Sequence, residues 1–172
     1  SCPASFAMLA LMGYENFFYA LADCPESLDR LIAAIGAKFR AQLWPAVMAS
    51  GAELVLHGNH FSDDTTPPAI FRRFFLPYFR DFNALAHANG KRVVWHADAG
   101  MKNLLRDVAE AGFDGADCLA TAPLVKQTLE DCYAAWGGRI VCWGGMPGTI
   151  FDAAYPAQLF KDHVTQLHKF VS

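Results

Sequence analysis

His96 and Asp98 lie two positions apart at the end of the stretch RVVWHADAG, residues 92–100. An imidazole and a carboxylate at that spacing can bind one metal ion from a single turn, and either residue alone suits acid–base chemistry. The bland reading makes His96 a hydrogen-bonded strand end and Asp98 the cap of a helix starting near Gly100. A denser group stands upstream, where His57, Gly58, Asn59 and His60 form HGNH and Asp63-Asp64 follow. Gly58 predicts a sharp turn that brings His57 and His60 towards one pocket. The competing reading is a solvated loop whose aspartates cap the next helix.

Weaker signals lie further on. Asp117-Cys118 and Trp143-Gly144-Gly145 each follow an apolar run. Cys118 can serve as a thiolate ligand, but a small packed thiol is its default, as it is for Cys132 and Cys142. WGGMPG, residues 143–148, lacks the lysine and hydroxyl of a phosphate loop, yet its backbone N–H groups can face a ligand edge. Asn59, Asp117, Trp143, Gly144 and Gly145 are therefore candidate substrate-binding residues, and His57, His60, His96 and Asp98 the candidate catalytic ones.

These residues need elements to hold them. Alternating segments supply them. Phe6–Leu11 is predicted as a strand, followed by a helix from Cys24-Pro25 to about Ser50 with Asp23 as its N-cap. Glu53–Leu56 is a short strand. A helix then runs from Thr66-Pro67-Pro68 to about Asn89, with Phe71, Phe74, Phe75, Tyr78, Phe82 and Leu85 on one face. Strands at Val93–Trp95, Ala116–Leu119 and Ile140–Trp143 alternate with helices at Lys102–Ala111, Val125–Trp136 and Ala157–Phe170.

Five short apolar strands alternating with helices predict an α/β fold with a parallel sheet. Every candidate residue sits just past a strand's C-terminal end, where a (β/α)8 TIM-type barrel gathers its loops. No GxGxxG or GxxxxGK[ST] follows a strand, so a nucleotide-binding sheet has no support. A whole barrel needs about 250 residues. The 172 residues here predict one domain that is a partial barrel of about five β/α units.

Composition narrows the partners. Net charge is −3 and the cations do not cluster, which argues against nucleic acid or an anionic membrane surface. The apolar start is interrupted at Glu15 and Asn16 and is too mixed to span a membrane. Five scattered cysteines fit a reducing cytoplasm.

Three stretches together resemble the uroporphyrinogen decarboxylase superfamily: PPAIFRRFFLPYFRDFNALAHANGKRVVWHADAG, LLRDVAEAGFDGADCLATAP and YAAWGGRIVCWGGMPGTIF. The matching positions run from Phe71 to Tyr78, Gly90 to His96, Glu110 to Asp114 and Gly138 to Gly145. The resemblance implies a β/α barrel whose amino-terminal half is absent from this chain. It also implies one of two activities: cofactor-free decarboxylation of uroporphyrinogen acetate side chains, or methyl transfer involving a corrinoid.

In the zinc-bearing methyltransferases of that superfamily the ligands after this strand are His-x-Cys, with a further Cys downstream. His96 matches the first ligand, Asp98 stands where the thiolate would be, and the downstream position is expected past Ser172. A His/Asp pair is a harder donor set, which favours an oxygen substrate such as an aryl ether over a thiol. The resemblance therefore implies methyl transfer between a small, methoxylated aromatic substrate and a corrinoid protein, with zinc or another divalent metal at His96 and Asp98. Its alternatives are the decarboxylase, which needs no cofactor, and an inert partial barrel that self-associates through open sheet edges.

Overall fold

The computed structural model describes residues 1–58 and 60–171, the last two by backbone alone. Asn59, one of the predicted substrate-binding residues, lies outside the described residues. The chain begins with helix α1 (Pro3–Phe6), which runs into a π-helical turn at Ala7–Leu11. Helices α2 (Gly13–Asp23) and α3 (Pro25–Ala49) follow, then strand β1 (Leu54–His57). Helix α4 (Pro68–Ile70) passes through a π-turn at Phe71–Phe75 into α5 (Leu76–Ala88). The remaining units are β2 (Arg92–His96), α6 (Leu105–Glu110), β3 (Gly115–Leu119), α7 (Leu129–Trp136), β4 (Val141–Gly144) and α8 (Ala157–Val171).

The sheet is parallel throughout, in the order β1-β2-β3-β4. An open doubly wound sheet reverses strand order at a switch point, whereas a barrel adds each strand beside the last. The sequential order is the barrel's. The predicted partial barrel is therefore present, with four strands where five were expected.

The missing strand is Phe6–Leu11, which is helical. Pro3 occupies the first helical turn, and the Sγ of Cys2 accepts from the Ser5 N–H at 3.4 Å, capping the helix. Ala4, Ala7 and Met8 are buried at three- and four-residue spacing, while Leu9 and Leu11 face out. A run apolar on both sides concealed that period. The predicted Asp23 cap is also replaced. Helix α2 continues through Asp23, and Cys24, with the non-helical angles φ −143° and ψ 55°, is the residue that breaks it from α3 without a side-chain cap. Helix α7 starts later than expected, at Leu129, because Thr128 and Asp131 form a reciprocal capping box there.

One face of the sheet carries the core. Val93 and Trp95 of β2 point into it, and Trp95 contacts Phe113 at 4.9 Å and Trp136 at 5.8 Å between ring centroids. Phe79 of α5 joins Phe61, Phe71 and Phe113 to the same cluster. Burying each such ring contributes roughly 1.5–3 kcal/mol. The other face carries Leu54, Leu56, Val141 and Trp143, which are exposed in this chain. Among the described residues β1 and β4 form the two edges.

Candidate functional site

Side chains alternate along a parallel strand, so the uncovered face is built in rows across the sheet. Leu56, Val94, Gly115 and Val141 are in register across the four strands and make one apolar row. The next row towards the C-terminal ends is His96, Asp117 and Trp143, adjacent on β2, β3 and β4. Three of the residues singled out by their position after strands thus stand side by side.

His96 has a carboxylate at each ring nitrogen. Its Nδ1 lies 3.0 Å from Asp117 Oδ2, and its Nε2 lies 3.4 Å from Asp98 Oδ2. The Nδ1 of His60 meets the other oxygen of Asp98 at 3.0 Å, and the two imidazoles sit edge to face at 5.1 Å. His60 and Asp98 are exposed and His96 is half-buried, so the group opens to solvent at the strand ends.

The loops bearing this group are fastened to each other. Asp63 donates its N–H to Gly100 O at 2.8 Å, and its carboxylate accepts from the Asn103 N–H. The buried Gln127 side chain donates to Ala99 O and Ala120 O and accepts from Met101 N–H. Nothing in the sequence pattern marks Gln127, a polar residue at a loop end, as the bridge that fixes the turn after Asp98. Asp98 itself caps no helix; its two oxygens face the two imidazoles.

His57 is not brought to this group. Alternation puts it on the helix side with Val55, where Phe79 and Phe82 of α5 meet its ring edge-on at 5.1 and 5.3 Å. Desolvation in that aromatic pocket lowers its pKa to about 3, and its Nδ1 has no hydrogen-bond partner. The predicted convergence of His57 and His60 on one pocket is therefore corrected: the pleat of β1 fixes His57 on the core face, whereas His60 lies beyond the strand and meets Asp98.

Cys118 is corrected in the other sense. It is exposed rather than packed, and it carries a φ of 54° at a break in the β3–β4 register. That left-handed residue interrupts alternation and brings the thiol beside Asp117 and His96. Desolvation, then the Asp117 and Asp98 carboxylates, push the thiol's pKa up.

Gly144 and Gly145 are what permit the break. A Cβ on Gly144 (φ 125°) would stand 2.7 Å from Leu119 N, and one on Gly145 would meet Leu129 Cδ2 at 3.0 Å. Gly145 donates its N–H to Leu119 O, and its own carbonyl accepts from the Thr121 hydroxyl. Gly144→Ala is expected to lower stability by about 1–3 kcal/mol, because that φ is nearly exclusive to glycine. An unchanged thermal midpoint would refute this account of the turn.

Two groups of side chains meet the distance requirement for a shared ion: His60, His96 and Asp98, and His96, Asp117 and Cys118, each with ligand atoms within 4.8 Å of one another. The described arginines with carboxylate partners are engaged elsewhere, as in Arg72–Asp107, Arg80–Glu110 and Arg92–Asp114.

Comparison with known proteins agrees with this architecture. A family model described as Uroporphyrinogen decarboxylase (URO-D) matches residues 1–155. Curated proteins gave no match. Among solved structures, the chain is similar to a methyltransferase from Methanosarcina mazei, with 17% identity and a TM-score of 0.57 over 99% of this chain. It spans 57% of the length of that protein. No helix among the described residues is long and apolar enough to cross a membrane.

Proposed function

The chain belongs to the uroporphyrinogen decarboxylase (URO-D) family, and from that premise we propose that its site transfers a methyl group from the oxygen of a small methoxylated aromatic compound to a corrinoid protein. The observation that carries this reading is the gap between His96 Nε2 and Asp98. When Nδ1–H of His96 donates to Asp117, the Nε2 lone pair faces the Asp98 carboxylate at 3.4 Å. In that tautomer the lone pair and the carboxylate repel each other, and a divalent cation shared between them removes the repulsion. With His60 alongside, the donors are imidazole nitrogen and carboxylate oxygen, a set that suits zinc or another divalent transition ion.

His60, His96 and Asp98 would hold that ion, and Asp117 would fix the tautomer and orientation of His96, as carboxylates commonly do behind a ligating imidazole. A divalent ion there supplies Lewis acidity towards a substrate oxygen. The protein's own groups do the rest. Trp143, 59% exposed and in the same row as Asp117, offers a flat face on which an aromatic ring can stack. As the methyl group passes to the corrinoid the oxygen keeps the bonding pair, and solvent reaching the exposed strand-end face supplies the proton it then takes up. The open strand-end face leaves room for a macromolecular acceptor.

The test is metal analysis of the purified protein together with methyl-transfer assays, using methoxylated aromatics and a corrinoid protein as acceptor. Bound divalent metal and demethylated phenol are expected. Turnover of uroporphyrinogen without metal, and no demethylation, would overturn the reading in favour of decarboxylation. Absence of any turnover would leave the inert partial barrel.

A further inference from the structure

We propose that Cys118, Asp117 and the Nδ1 of His96 form a second, thiolate-bearing cation position that takes a thiophilic divalent ion such as zinc or cadmium. It rests on the site reading above only in sharing His96. The three candidate ligand atoms lie within 4.8 Å of one another on two neighbouring strands. Regular alternation would send Cys118 to the helix-covered side with Ala116. It reaches the group because the register breaks between Asp117 and Leu119 and Cys118 takes a φ of 54°. Among the described residues it is the sole non-glycine residue with positive φ. A branched or bulky side chain would be strained there, and the short thiol is exposed rather than packed.

The two positions exclude each other through the proton on His96. With Nδ1–H donating to Asp117, Nε2 is free for an ion shared with His60 and Asp98. With the proton on Nε2, donating to Asp98, Nδ1 is free for an ion shared with Asp117 and Cys118. Binding in the second position releases the Cys118 proton to solvent, forms the metal–sulfur bond and replaces the His96–Asp117 hydrogen bond. Donor softness then selects between them: nitrogen and carboxylate ligands for a harder ion, a thiolate for a softer one.

Cadmium titration of the reduced protein, followed by sulfur-to-metal charge-transfer absorption, tests this. A thiolate band is expected in the parent, in Cys24→Ser and in His60→Ala. Cys118→Ser should lose the band and bind cadmium roughly tenfold or more weakly. A band that survives Cys118→Ser, or disappears in His60→Ala, would overturn the proposal. Cadmium bound with no thiolate band in the parent would overturn it too, while leaving the His60–His96–Asp98 position standing.

Discussion

Replacing His96 by alanine is expected to remove metal binding at the strand-end site altogether, with methyl transfer falling to background. His96 is the one side chain common to both ligand groups, so no rearrangement of the others substitutes for it. Asp117→Asn should behave differently. An asparagine keeps the size and can present its carbonyl to His96 Nδ1–H, but it lacks the charge that holds the imidazole in place. Removing such a partner typically lowers metal affinity or activity about 10–100-fold. The two variants therefore separate a ligand from the group behind it: complete loss in the first, partial loss in the second. Zinc competition against a chromophoric chelator measures both. Equal affinities in parent and His96→Ala would remove the metal from the mechanism.

That contrast rests on a row of residues only half legible in the sequence. The strands β2, β3 and β4 announce themselves as Val-Val-Trp, Ala-Asp-Cys-Leu and Val-Cys-Trp followed by glycines, and the helices between them by the period of their apolar residues. That pattern puts His96, Asp117 and Trp143 at strand ends. Their adjacency was not legible, because it depends on the register between strands that are far apart in the chain. The first segment fails for a local reason. Ala7 to Leu11 is apolar at every position, and such a run does not distinguish a strand from a helix. Cys118 fails for a subtler one. Its exposure follows from a single left-handed residue at a register break, and the glycines that allow the break are on the adjacent strand.

HGNH illustrates how a motif can be read by type and missed by face. His57 ends β1, with Leu56 before it and Gly58 after the strand, so no alternation of polar and apolar residues shows which side it takes. The register does: His57 pairs with Trp95, the core tryptophan, and so shares its face. His60, three residues later and free of the strand, reaches Asp98 instead. Two histidines from one tetrapeptide thus serve different parts of the molecule.

His57→Leu is expected to leave metal binding and turnover within about twofold of the parent while making the fold more acid-resistant, since it swaps a buried ring for an apolar side chain of similar volume. In the folded chain desolvation holds the imidazole pKa at about 3, below the ordinary 6.5. The unfolded chain therefore binds a proton below pH 6.5 that the folded chain refuses until about pH 3. Stability from this group is fully present above 6.5 and falls as pH drops through that window, by about 1.4 kcal/mol per pH unit. Between pH 6.5 and 4.5 the parent should lose about 2.3 kcal/mol more than the leucine variant. Carboxylates titrate in both proteins and cancel in the comparison. Urea unfolding of the two at each pH reads the difference directly. Parallel losses would show that His57 is protonated in the folded state, and a loss of turnover in His57→Leu would return it to the site.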